Sequence, residues 1–141
     1  MNTIKTIVNQ FYEFVDDHPM IYSKGYGLIQ DLQTENRKTP VVWISSTPGK
    51  IYDAYTKYNF NIWILTNTMQ DKENLLDNMS DTALLGRDIT TKYKNSDLNE
   101  DFTIDNEVGM MPISMDFDDI LSGWVFDFSI IVDNNYCEIP E

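Results

Sequence analysis

The sequence predicts one α+β domain, in which two amphipathic helices pack on a mainly antiparallel β-sheet. Two observations predict it: two segments repeat their apolar residues at helical spacing, and several others alternate apolar and polar residues as strands do. Short connections between neighbouring strand segments favour antiparallel pairing. The length of 141 residues fits a single domain over 1–141.

Two segments are expected to be helical. The first, 3–15, should end before His18, because Pro19 disfavours a helical conformation in the residue that precedes it. The second is expected over 71–94, where Gly86 would weaken the helix by about 1 kcal/mol relative to alanine. The apolar stripe of the first helix follows positions i, i+3, i+4 and i+7 and contains Ile4, Ile7, Val8, Phe11, Phe14 and Val15.

The clearest strands are predicted over 55–66 and 123–133, which alternate well. A turn is predicted at 47–49, where threonine, proline and glycine follow one another. The segments also expected to form strands are 25–32, 40–45, 101–108 and 110–117.

The net charge of −13 is unevenly placed along the chain. All ten Lys and Arg lie in residues 1–94 with eleven Asp and Glu, whereas residues 95–141 hold twelve Asp and Glu and no Lys or Arg. The second half therefore repels phosphate, which argues against DNA-backbone binding by that half. It is either a solubilising face or a surface that lets DNA pass or docks on a basic partner.

The composition predicts a globular protein without a membrane span, because no apolar run approaches the roughly 20 residues that a span needs. The N-terminal residues lack the apolar core and cleavage site of a signal peptide. The single cysteine, Cys137, excludes an internal disulfide. These features predict a protein made in a reducing cytosol.

Catalytic motifs are absent from the sequence. His18 is the only histidine, and its position at a helix end favours a structural role. Asp116, Asp118 and Asp119 form the densest acidic group, which acid–base chemistry or Mg²⁺ binding would need, but a solvated loop is the favoured interpretation. We therefore predict no enzymatic activity, no cofactor and no metal site.

The chain is rich in aromatic residues, with three Trp, eight Tyr and seven Phe. Strands that are apolar on parts of both faces present more apolar surface than two short helices can cover. Since interfaces favour Tyr, Trp and Met, this pattern indicates an obligate oligomer. Trp43, Trp63 and Trp124 are the candidate aromatic residues of the subunit interface.

The sequence resembles the small tail-completion or neck proteins encoded by phages of Bacteroidetes-type hosts, including crAss-like phages. The similar pieces are spread over nearly the whole chain, and their order and spacing carry the resemblance. They are His18-Pro19, Gly25-Tyr26-Gly27, Asp31 to Thr34, Pro40 to Ile44, Asn61 to Leu65, Asp71 to Asn74, Ser80 to Thr82, Arg87 to Ile89, Asp118-Asp119, Gly123-Trp124 and Cys137 to Pro140.

The resemblance implies a tail-terminator-like fold that assembles with copies of itself into a ring of about six or twelve subunits in the virion neck or tail. Such rings contact the portal and connector or the tail tube, and DNA passes through them without specific binding. Neither activity nor cofactor comes with the family. We expect Asp116, Asp118 and Asp119 to face the lumen or an acidic rim of the ring.

Two other functions remain open on the sequence alone. An acidic inhibitor that mimics DNA and binds a host protein would also explain the charge of residues 95–141. A small enzyme that uses the cluster from Asp116 to Asp119 is the other alternative. The ring subunit is the interpretation that accounts for the aromatic residues as well as the charge.

Overall fold

The computed structural model describes residues 4–28, 32, 39–68, 73–94, 102–104, 107–116 and 120–133. Two helices and six strands lie in this part of the chain. They are α1 (Ile4–Asp16), β1 (Ser23–Tyr26), β2 (Val41–Ile51), β3 (Tyr55–Thr68), α2 (Leu75–Lys94), β4 (Phe102–Ile104), β5 (Gly109–Asp116) and β6 (Ile120–Asp133).

The strands form one sheet in the order β1-β2-β3-β6, and both β4 and β5 pair with the outer side of β6. β4 pairs with the end of β6 near Val132, and β5 pairs with its beginning, so the two share one edge of the sheet. Every pair is antiparallel except β1 and β2, which are parallel. The predicted α+β class, with a mainly antiparallel sheet and two helices, is confirmed.

One face of the sheet carries the main core, because both helices pack on it. Alternate residues of β2, β3 and β6 point to this face, as the two-residue period of a strand requires. The buried apolar side chains of this core are Ile7, Val8, Phe11, Val15, Val42, Ile44, Phe60, Ile62, Ile64, Leu85, Ile89, Tyr93, Phe126, Phe128 and Ile130.

Helix α1 packs as the stripe predicted, since Ile7, Val8, Phe11 and Val15 are all buried. Phe11 contacts both the sheet and the second helix: its ring lies 5.9 Å from that of Phe128 and 5.4 Å from that of Tyr93. Burying one large apolar side chain stabilises a fold by about 1.5–3 kcal/mol. Burial also raises the pKa of Tyr93, so its hydroxyl stays neutral inside the core.

Helix α2 lies close against the sheet at Gly86. A Cβ atom added there would lie 2.0 Å from Cζ of Phe126, so the ring of Phe126 occupies the space that any other residue would fill. The sequence explained Gly86 only as a local weakness of the helix. The structure shows that its missing side chain permits the contact between α2 and β6.

We expect Gly86→Ala to lower the free energy of unfolding by about 1–3 kcal/mol, because the added methyl overpacks against Phe126. Helix propensity alone predicts the opposite, a gain of about 1 kcal/mol. Urea denaturation distinguishes the two signs. Phe126→Leu in the Gly86→Ala background serves as the control: the double variant should lose less than the two single losses added together.

The opposite face of the sheet carries a second, smaller cluster of buried apolar residues. Trp63 and Ile113 are partly buried and pack against it. Together with the first face this makes a sheet whose centre is apolar on both sides. The buried members of the smaller cluster are Leu32, Val41, Trp43, Leu65 and Leu121.

Two local predictions were wrong. The turn expected at 47–49 is part of β2, which continues to Ile51 through a bulge between Thr47 and Lys50. One extra residue leaves the ladder there, which accommodates proline, and a Cβ at Gly49 would lie 2.3 Å from the carbonyl oxygen of Lys57. Likewise the strand expected over 25–32 ends at Tyr26, and its partner runs parallel to it; residues 29–31 of that prediction lie outside the described residues.

Candidate functional site

The predicted acidic cluster lies mostly outside the described residues. Asp116 is the last residue of β5, where its backbone pairs with that of Ile120. Asp118 and Asp119 both fall outside the part of the chain that the structure describes. The lumen or rim position of these three residues therefore stays a prediction.

The sheet separates charge between its two halves. Strands β1, β2 and β3 contain three lysines and no acidic residue: Lys24, Lys50 and Lys57. Strands β4, β5 and β6 contain three aspartates and no basic residue: Asp116, Asp127 and Asp133. Because the sheet order keeps β1 to β3 on one side and β4 to β6 on the other, the uneven charge of the sequence becomes a charge difference across the sheet.

Trp43 lies in the interior of the subunit. Its side chain packs over Gly25, where an added Cβ would lie 2.2 Å from its ring, and its Nε1 donates to the carbonyl oxygen of Gly27 at 3.2 Å. Only 3% of the residue is exposed. Trp43 therefore holds β1 against β2 and leaves little surface for a neighbouring subunit.

Trp124 is engaged with helix α2. Its Nε1 donates to the carbonyl oxygen of Met79 at 2.8 Å. Close by, Asn78 donates to the hydroxyl of Thr68 at 3.1 Å, and that hydroxyl is hydrogen-bonded to Ser122. These bonds hold the first turns of α2 over the end of β3 and the beginning of β6. The hydrophobic pattern of the sequence could not reveal this polar connection.

Trp63 lies at the centre of the face opposite the helices, between Trp43 and Val125 on the neighbouring strands. It is only partly buried, and its Nε1 is buried without a hydrogen-bond partner among the described residues. Of the three tryptophans it is the one with exposed surface on this face. Its role at a subunit interface stays a prediction.

The two edges of the sheet carry exposed apolar side chains that the sequence analysis did not single out. Beside β1, Tyr22 is 66% exposed and Tyr26 is 44% exposed. On β5, Met110 is 46% exposed and Met111 is 57% exposed, although consecutive residues point to opposite faces. Pro112 is the residue that could have indicated an edge strand from the sequence, because proline within a sheet is confined to edge strands, bulges and strand beginnings.

His18 joins the end of α1 to α2. Its Nδ1 accepts a hydrogen bond from the backbone amide of Met20 at 3.3 Å, and its Nε2 lies 3.6 Å from Oδ2 of Asp88. Both ring nitrogens are thus used in contacts that hold the chain after α1. Among the described residues, no group of three or more His, Cys, Asp and Glu is placed to hold a metal ion.

No helix in the described part of the chain is both long enough and apolar enough to cross a bilayer. A comparison of the sequence with protein-family models finds no family that matches. A comparison with curated proteins finds no significant match.

Proposed function

We propose that the chain is a virion structural protein of a tailed bacteriophage. It forms an oligomeric ring at the head–tail junction or at the tail end and is part of the conduit for DNA. The observation that supports this most is the pair of sheet edges, both of which carry exposed apolar side chains. A subunit with two different apolar edges suits a ring, since each subunit of a ring contacts a neighbour on either side.

The charge distribution also supports a conduit. DNA passing through a ring must not be held, and carboxylates repel its phosphates. The strands β4 to β6 contain only acidic charges, and the surrounding segment 95–141 contains no Lys or Arg. We place Asp116, Asp118 and Asp119, which belong to this segment, at the lumen or at an acidic rim of the ring.

The position in the particle is tested by electron microscopy of phage particles labelled with a gold-conjugated antibody against the protein. We expect gold at the neck or at the tail tip, and the same antibody preabsorbed with purified protein is the control. Gold spread over the capsid shell, or particles that contain none of the protein by mass spectrometry, would contradict the proposed function.

A DNA-mimicking inhibitor is the second candidate, and the segregation of acidic residues to one half of the sheet favours it. Such an inhibitor presents carboxylates in place of phosphates to a basic groove. It acts as a soluble protein in the host cell. Tight, salt-sensitive binding of a host DNA-binding protein, together with absence from the particles, would favour this candidate over the ring.

A further inference from the structure

We propose that the β1 edge of one copy lies beside the β5 edge of the next copy, so that the subunits associate head to tail. The inference rests on the proposed ring and names the contact through which it closes. The occupant of each edge is thus a second copy of this chain. Four features of the described residues support the arrangement.

The two edges lie at the same level of the sheet. The pairing register links Tyr26 to Ile44, Ile44 to Ile62, Ile62 to Phe126 and Phe126 to Met110, so one row crosses five strands from edge to edge. The neighbouring row runs in the same way from Gly25 through Trp43 to Met111. A copy placed beside the first without a shift along the strands therefore brings the end of each row to the beginning of the next, which is what a closed ring needs.

The side chains at the ends of the first row fit each other. Tyr26 and Met110 both belong to the row that points to the helix-bearing face, and about half of each residue is exposed. Methionine sulfur packs favourably against aromatic rings, and both residue types are enriched at interfaces. Tyr22 and Met111 extend the apolar surface of their edges.

Charge decides between a head-to-tail and a two-fold contact. Two β5 edges facing each other would bring the acidic halves of two sheets together, and like charges across an interface cost several kcal/mol. A β1 edge facing a β5 edge instead places the acidic half next to β1, whose only charged residue, Lys24, is paired with Asp16 of its own subunit. The head-to-tail arrangement thus avoids the repulsion between two acidic halves.

The strand directions allow the same arrangement. β1 runs parallel to β2, and three antiparallel pairings then lead to β5, so β5 runs antiparallel to β1. A rotation axis along the strands keeps this relation between neighbouring copies. Pro112 has no amide hydrogen, which prevents a continuous ladder of backbone hydrogen bonds across the contact, so side chains carry most of it.

The test is a mixed cross-linking experiment in the full chain with Cys137→Ser. Tyr26→Cys and Met110→Cys are made separately, mixed and treated with a short bifunctional maleimide. We expect a cross-linked dimer in the mixture, little in either variant alone, and a ladder that stops at a closed ring when both substitutions are in one chain. Leu84→Cys, at an exposed position of α2, replaces either partner as the matched control and should give no dimer.

Dimers from Met110→Cys alone at the yield of the mixture would overturn the head-to-tail contact in favour of a two-fold one. No cross-link in the mixture at high protein concentration would overturn the edge contact itself. The cross-linking result is independent of the gold labelling. Gold at the neck without a cross-link would support the proposed function and reject the contact between the β1 and β5 edges. A cross-link without gold at the neck or tail would support the edge contact and reject the proposed function.

Met110→Lys tests the same edge contact without the cysteine substitutions, in case those variants fold poorly. We expect it to raise the concentration at which the protein assembles by at least about tenfold, since a lysine would enter the apolar contact. Leu84→Lys is the control and should leave that concentration unchanged. Equal effects of the two lysines would contradict the proposal.

Discussion

Gly123→Ala is expected to lower the free energy of unfolding by about 3 kcal/mol or more. A Cβ at this position would lie 1.9 Å from the carbonyl oxygen of Ile64, which belongs to the backbone of the adjacent strand. The residue also has a φ of +158°, which L-residues with side chains rarely adopt. Because β3 and β6 are both inner strands with a neighbour on each side, neither backbone can move away without disturbing the rest of the sheet.

Urea denaturation of Gly123→Ala, followed by circular dichroism, measures this loss. Gly109→Ala is the matched control on β5, because the nearest atom to its added Cβ is a side-chain oxygen of Asp127 at 3.4 Å. There we expect a change within about 1 kcal/mol. Equal stabilities of the two alanine variants would show that the close approach at Gly123 does not exist.

Phe11→Ala is expected to cost about 3–5 kcal/mol, the range for removing a buried phenylalanine. Phe11 is 4% exposed, and its ring contacts Tyr93 of α2 and Phe128 of β6. Its removal would leave a cavity where the two helices and the sheet meet. The loss should appear as a lower urea midpoint with the slope unchanged.

Two controls separate the cavity from a general effect of substitution in a helix. Phe11→Leu keeps most of the volume and should cost about 1.5 kcal/mol or less. Leu84→Ala removes a side chain that is 51% exposed on α2 and should stay within about 0.5 kcal/mol of the parent. A cost of Phe11→Ala close to that of Leu84→Ala would contradict the docking of α1 on this core.

The elements that the sequence predicted well are those whose pattern depends on one strand or helix alone. α1 was expected over 3–15 and is found at Ile4–Asp16. The alternation of 123–133 anticipated β6, which begins three residues earlier, at Ile120. In α1 one buried stripe imposes its period, and in β6 the row of Phe126, Phe128 and Ile130 does the same, so the local pattern is enough to predict both elements.

The features that could not be predicted from the sequence depend on residues that are far apart in the chain. β1 runs parallel to β2, with the ring of Trp43 covering Gly25, and neither residue alone signals this pairing. At the bulge, Gly49 lies against the backbone carbonyl of Lys57 on β3, a contact between residues of different strands. Gly86 alone indicates only a weak point of the helix, and its role in packing follows from the position of Phe126 beneath it.

The candidate site was predictable only in part. The acidic half of the sequence becomes one half of the sheet, because β4, β5 and β6 are consecutive in the chain and adjacent in the sheet. Trp43 lies in the interior because of the way that β1 and β2 pair, which its position in the sequence does not indicate. The exposed residues at the two edges emerge only from the strand order, which the sequence does not specify.

The most direct test of the ring is the mass of the purified protein in solution, measured by light scattering over a range of concentrations and salt. We expect a closed species of about six or twelve subunits whose mass stays constant once it has formed. A protein that remains monomeric at every concentration would contradict it, as would a polymer that grows without limit.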